Sequence, residues 1–338
     1  MRNDTRVLFD QFTSRLTQLN GVSDATKMFN VEPSVQQTLE MKIQESSDFL
    51  RRINVMGVDE LKGEKLRLGS SGPIAGRTDT NNNDRQTRDM SDMDGNQYEC
   101  RFTEFDTHLP YAKLDAWAKF PNFQTMVRDA IVRQQSLDRI MIGFNGTSAA
   151  TETDRATNPM LEDVNIGWLE HYRQTATERV MTQGDTAGVI QVGNGGDYAN
   201  LDALVYDAVN ELIDPWHRES TELVALVGRK LMADKYFPLV NQQHPPTEHQ
   251  AMDMIIGQKR MGGIQAAQVP YMPDGTILIT TLDNLSLYWQ RGARRRYVTE
   301  NPKRSRIENY ESSNDAYVVE DFGAGCLVEN IETGDFSA

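Results

Sequence analysis

One stretch constrains this chain more than any other. In residues 121–144, Phe123, Met126, Val127, Ala130, Ile131, Leu137, Ile140, Met141 and Phe144 recur at the three-to-four spacing of a single helix face. The opposite face carries Arg128, Arg133, Gln135 and Asp138. Pro121 stands where a first helical residue needs no amide hydrogen, and a Phe-Asn-Gly run ending at Gly146 closes the pattern. About 24 residues at the usual rise make a rod of roughly 36 Å, long enough to back a whole domain. Any fold for this chain must be built along that spine.

At 338 residues the chain exceeds the size at which one hydrophobic core stops growing, so two or more subdomains are expected. Ahead of the spine, Leu8, Phe12, Leu16 and Leu19 predict an amphipathic helix over 5–19, capped by Asp4 or Thr5 and stopped by Gly21. Periodicity fails over 21–30. A second helix then follows Pro33, with Ser34 and Gln37 at capping-box spacing and a stripe of Val35, Leu39, Ile43 and Leu50, and is expected to end near Ile53. Residues 55–105 turn polar, most of all at 77–96, while the flanks at 61–69 and 97–105 alternate as strands do. They predict an extended hairpin whose ordering depends on a neighbouring subunit.

Beyond the spine, a polar loop at 147–157 leads to a helix around Trp168 and Tyr172. A Gly-rich turn at 192–197 follows, then a helix with Asp197 as its cap, Leu201, Leu204, Val205, Ala208 and Leu212 as its stripe, and Pro215 as its end. Strand signals at 223–227 and 276–282 flank a helix through Tyr236, and residues 288–331 alternate short strand signals with turns. No internal repeat is visible. The order of elements specifies an α+β chain with mixed subdomains.

Catalytic patterns are missing. Cys100 and Cys326 lie far apart with no CxxC partner, so two reduced, buried thiols are expected. His244, Glu248 and His249 flank a proline-rich loop at a spacing that matches no helical zinc motif, and a solvated loop is the better reading. His108, His171 and His217 are scattered, with no nucleophile elbow to serve them, and Asp202 and Asp207 read as helix-surface carboxylates. The turn at 193–197 could cradle a phosphate at a helix start, which leaves an α/β enzyme as the alternative function. It matches no phosphate-loop pattern and reads more simply as a capped turn. No cofactor or metal is expected, and Met126 and Met141 are assigned to core filling.

With 49 acidic against 35 basic residues, the net charge of −14 argues against nucleic-acid binding as the main task. No stretch approaches the ~20 apolar residues of a membrane span, and no secretory core opens the chain, so a cytoplasmic protein without membrane partners is expected. Against this acidity a basic cluster stands out: Arg291, Arg294, Arg295, Arg296, Lys303, Arg304 and Arg306. Intersubunit salt bridges, a lining that faces packaged DNA and a solvated charge run compete to explain it. The first is preferred, because arginine pairs with carboxylates in bidentate fashion and is enriched at interfaces.

Blocks spread along the chain carry a resemblance. VEPSV at 31–35, QESSDFLRRI at 44–53, NPMLEDVNIGWL at 158–169, ENYES at 308–312 and VVEDFGAGCLVE at 318–329 together resemble the major capsid protein of peduovirus-type tailed phages, the phage P2 family. The resemblance implies the Hong Kong 97 (HK97) fold: an amino-terminal arm at 30–53, an extended E-loop at 54–105, a peripheral domain at 106–195 and 288–338 that holds the spine, and an axial domain at 196–287. It further implies pentamers and hexamers that tile an icosahedral shell around double-stranded DNA without sequence-specific binding. An internal scaffold, a maturation protease and a portal at one vertex would be partners. Residues 1–29 would be removed by cleavage near Phe29 and Asn30. Some relatives crosslink the E-loop through a lysine and an asparagine. Lys62, Lys65 and Asn81 to Asn83 supply those residue types without matching that chemistry, so no crosslink is expected.

Overall fold

A computed structural model describes residues 1–64, 75–80, 82, 84, 85, 87, 97–117, 123–240 and 258–337. Pro121, Lys65, Asn81, Asn83, His244, Glu248, His249 and most of the polar centre at 77–96 fall outside the described residues.

The spine is a helix over Phe123–Asn145. Its buried face lies in the second half, where Val132, Ile140, Ile142 and Phe144 enter the main core. Gln135, Ser136 and Arg139 are buried there too, although Gln135 was expected on the polar face. Toward the amino end the stripe is open, and Met126 is 57% exposed, so it does not fill the core. Gly143 allows the helix to close on Trp168, since a Cβ there would stand 2.2 Å from the indole ring. The indole packs edge-on against Phe49, Phe144 and Tyr317 and donates its Nε1–H to the carbonyl of Ser286 at 2.9 Å.

Along the spine runs a seven-stranded sheet whose longest strand, Arg306–Val319, pairs antiparallel with Arg295–Asn301, Leu285–Gln290, Arg101–Glu104 and Thr107–Pro110. The two-residue strand Phe29–Asn30 closes one edge against Arg295–Asn301, and Asn54–Val58 lies parallel to Leu285–Gln290. The expected alternation of strands and turns after residue 288 is present, but one of its strands, Arg306–Val319, runs to 14 residues where short ones were expected. Its alternating polar residues are buried by partners described below, so hydrophobicity alone does not mark it.

A six-stranded sheet forms the second body, in the order Arg260–Met261, Ile264–Gln268, Val224–Val227, Ile277–Thr280, Gly325–Val328 and Val180–Met181. One face packs into the main core through Val224, Leu226, Leu278 and Leu327. The other packs under the helix Leu201–Leu212 and under Arg229–Val240, with Ala225, Val227, Ile277, Ile279 and Cys326 at its centre. Beside it, Ile331–Asp335 pairs parallel with Ile190–Asn194. The expected divides at 195/196 and 287/288 therefore do not follow the sheets. Strands at 180–181 and 325–328 belong to the body assigned to 196–287, because β-pairing brings together segments distant in sequence.

Several ends differ from expectation. The first helix, Asn3–Asn20, starts after Arg2 and stops as expected at Gly21, in the left-handed region at φ 62°. The second, Pro33–Glu45, is capped by the Glu32 carboxylate, which accepts from the amides of Ser34 and Val35 and displaces the expected Ser34 box. It ends before the expected Ile53. Phe49, Leu50 and Ile53 follow in turns, buried in the main core. Asn200, in place of Asp197, caps Leu201–Leu212 by accepting from the Ala203 amide at 2.9 Å. Lys62–Glu64 and Gln97–Glu99 pair antiparallel as the base of the expected hairpin.

Candidate functional site

Three parts of the chain distant in sequence meet at one buried ionic cluster: Glu40 of the second helix, Gln135 and Arg139 of the spine, and Glu311 and Asp315 of the seven-stranded sheet with Arg294 just ahead of its strand Arg295–Asn301. The ionised side chains are at most 3% exposed. Arg139 donates Nε–H to Asp315 at 3.0 Å and Nη2–H to its other oxygen at 3.1 Å, and it also reaches Glu40. Arg294 donates Nε–H to Glu311 at 2.8 Å, reaches Glu40, and donates to Gln135 Oε1 at 2.8 Å. Glu40 thus bridges both guanidiniums and fastens the arm helix to spine and sheet at once.

Opposite charge explains why Glu311 and Glu40 stay ionised in spite of their burial. Burial alone would raise the Glu311 carboxyl, but the Arg294 and Arg296 guanidiniums outweigh it and hold the group at about 2. Burial opposes ionisation of Glu40 as well, and Arg139 with Arg294 overcomes it, lowering that pKa. Three carboxylates face two arginines, and Asp315 carries the imbalance. Its carboxyl is raised by burial and by the nearby Glu40 charge despite the Arg139 fork.

The expected basic cluster divides into groups with different tasks. Arg294 is fully buried and committed within the subunit, which corrects its assignment to intersubunit pairing. Arg296 donates Nε–H to Asn309 at 2.9 Å, and Arg306 pairs with Glu308 at 2.6 Å, both half-buried within the sheet. Arg291 meets Asp59 at 3.3 Å in an exposed pair. Arg295, Lys303 and Arg304 are exposed, the last two on the tight turn Pro302–Arg304.

Phe29 is buried, packing with Leu16, Ala25, Val31, Leu114, Val298 and Ile307, while Asn30 is exposed. Their strand is backed by a bond from the Val31 amide to the Arg294 carbonyl at 2.9 Å. The preceding helix is docked by Arg6 on Glu300, which also accepts from the Tyr111 hydroxyl at 2.6 Å, and by Asp115, which accepts from the Arg2 amide at 2.9 Å and from Thr5 Oγ1 at 2.7 Å.

The turn at 193–197 is occupied with packing. A Cβ at Gly193 would meet the Gly334 carbonyl oxygen at 1.8 Å, so the glycine lets the last strand lie alongside. Asp197 accepts from the amides of Gln191 at 2.7 Å and Asp185 at 2.9 Å. Among the described residues, no group of three His, Cys, Asp or Glu side chains could hold a metal, and no helix is long and apolar enough to cross a membrane.

Sequence reasoning passed over Glu40, Arg139, Glu311 and Asp315, and placed Gln135 on the polar face. One signal was available: Gln135, Ser136 and Arg139 share the helical phase of Val132 and Ile140, a polar patch inside an apolar stripe.

A spine helix along a mixed sheet, a second sheet body, an arm helix and a two-stranded ribbon are the parts of an HK97-like capsid subunit. The family model for the phage major capsid protein, P2 family, matches residues 8–331, and the chain belongs to that family. It is 52% identical over 346 residues to the capsid proteins of Escherichia phage P2, with 100% of this chain and 97% of that protein covered. It is 43% identical over 339 residues to the major capsid protein of Serratia phage KSP20, covering 98% and 97%. Among solved structures, a chain of the satellite phage P4 procapsid that includes the size determination (Sid) protein matches at a TM-score of 0.84 and 50% identity, over 100% of both chains. The chain is a major capsid protein and a virion component. The enzyme alternative is not supported.

Proposed function

We propose that this chain assembles into pentamers and hexamers that close an icosahedral shell around double-stranded DNA. The match over the whole of both chains to a procapsid subunit supports this most directly, because a chain built alike along its full length presents the same kinds of contact surface. An internal scaffold, a maturation protease and a portal at one vertex are its proposed partners, the DNA is held without sequence recognition, and assembly takes place in the host cytoplasm. The test is electron microscopy of the chain coexpressed with its neighbouring genes. Closed shells are expected, and a stable small oligomer at all concentrations would refute the proposal.

Within the shell, residues 30–53 serve as the arm, 54–105 as the E-loop, the body around the spine as the peripheral domain, and the body around Leu201–Leu212 as the axial domain. Residues 1–29 are proposed to be removed near Phe29 and Asn30, and the exposed turns between Gly21 and Met28 offer a protease access. Because Phe29 is buried and strand-paired, the docked helix must come away before that bond can be cut. Mass spectrometry of mature particles is expected to find chains that begin near Asn30. Intact Met1 in DNA-filled shells would count against processing.

A further inference from the structure

Between the first helix and the amino-terminal half of the spine lies an underfilled apolar cavity of about 410 Å³. Phe12 and Leu16 of the first helix face it, as do Leu109, Leu114, Ile131 and Ile307 of the body. Its charged lining has one sign: Arg15, Arg128 and Arg296 border it, and among the described lining residues there is no carboxylate. In a chain of net charge −14 such a border is unexpected. Arg15 and Arg128 are exposed at the rim. Arg128 touches only its neighbour Asp129 among the ion pairs described for it, at 2.7 Å, an exposed pair that is easily exchanged. Arg296 uses its Nε–H on Asn309.

An apolar chamber with a cationic mouth selects a ligand that has a hydrocarbon tail and a single anionic head. At about 30 Å³ for each methylene-sized group, near the share of one water in the liquid, the cavity accommodates roughly fourteen non-hydrogen atoms, those of a twelve-carbon carboxylate. That is too little for a two-chain phospholipid. We infer that this cavity binds a single-chain alkyl carboxylate, with its tail against Phe12, Leu16 and Ile307 and its head at Arg15 and Arg128.

Since the first helix supplies one wall, the site exists only while that helix is docked, and ligand binding and helix docking must reinforce each other. The ligand therefore acts as a fastener for residues 3–20.

The test uses the full chain as free subunits, with dodecanoate titrated below its micelle concentration by calorimetry and amide hydrogen exchange followed in parallel. Saturable binding at one site per chain is expected, on the order of tenfold tighter than dodecyltrimethylammonium because the charged head gains charge-assisted hydrogen bonds. Exchange across Asn3–Asn20 should slow. Arg15→Gln combined with Arg128→Gln, both exposed, should erase the preference for the anion and leave the fold intact. Leu19→Trp and Val127→Trp, at the rim, should weaken both ligands by filling the space. Absence of saturable binding, equal affinity for the two head groups, or unchanged affinity in the tryptophan variants would overturn the inference. So would uptake confined to vesicles of anionic phospholipid.

Discussion

At the scale of single residues, Glu40 is the most consequential side chain in the molecule. Removing it leaves buried N–H groups of Arg139 and Arg294 without their Glu40 acceptor, although Asp315 and Glu311 still balance the two charges, and unsatisfied buried donors typically cost about 1–3 kcal/mol each, more when charged. Glu40→Ala is expected to lower stability by that order in urea denaturation and to loosen the arm helix first by hydrogen exchange. Glu311 adds a pH dependence. Its folded pKa, about 2, lies below the ordinary value of 4.5, so its contribution is fully present above 4.5 and is lost as pH falls toward 2. The displacement corresponds to about 3 kcal/mol at neutral pH. Asp315, raised, works in the opposite direction and offsets part of it. Glu311→Gln should flatten the loss of stability between pH 5 and 2 and lower stability at pH 7, and unchanged acid sensitivity would contradict this account. None of these pairings was legible in the sequence. Glu40 and Arg294 are 254 residues apart, and local patterns report which face is apolar without reporting which buried polar group has a distant partner.

At the scale of elements, the long helices were the most legible parts. The spine and the first helix show strong apolar periodicity, and their ends fall within a few residues of expectation. The strand Arg306–Val319 was obscured because Glu311, Ser313 and Asp315 occupy its buried face, where alternation would otherwise place aliphatic residues. Caps shifted for a related reason. Glu32 reaches two amides from just outside the helix, a geometry that residue spacing alone does not distinguish from a Ser34 box. A tight contact between two helices is that of Gly143 with Trp168. Gly143→Ala would force the indole or the helix to move, and overpacking of this kind costs typically 1–3 kcal/mol. Thermal unfolding should show a lower midpoint despite alanine's better helix propensity, and a rise in the midpoint would show that the ring has room to yield.

At the scale of the whole molecule, the members of the basic cluster at 291–306 left for outside contacts are Arg295, Lys303 and Arg304, together with the loosely paired Arg291. The composition made the cluster visible, but it gave no means of separating the buried Arg294 from its neighbours. Double reversal, Lys303→Glu with Arg304→Glu, is expected to leave subunit circular dichroism unchanged and to cut the yield of closed shells. The wild-type yield should itself fall with rising salt, as contacts between exposed charges do. Normal shells from the double variant would assign these groups to solvent or to the interior.

The interleaving of the two sheet bodies has a consequence for the order in which the chain can mature during synthesis. Gly325–Val328 lies between Ile277–Thr280 and Val180–Met181, and Ile331–Asp335 is the partner of Ile190–Asn194. The second sheet therefore stays open, with bare strand edges, until residues 325–335 have left the ribosome. A nascent or prematurely ended chain lacks the strand that joins Val180–Met181 to the rest of the sheet, so incomplete chains are expected to fail before assembly. Chains that end before residue 325 should be insoluble or rapidly degraded, and pulse-labelling should show no such fragment inside a finished shell.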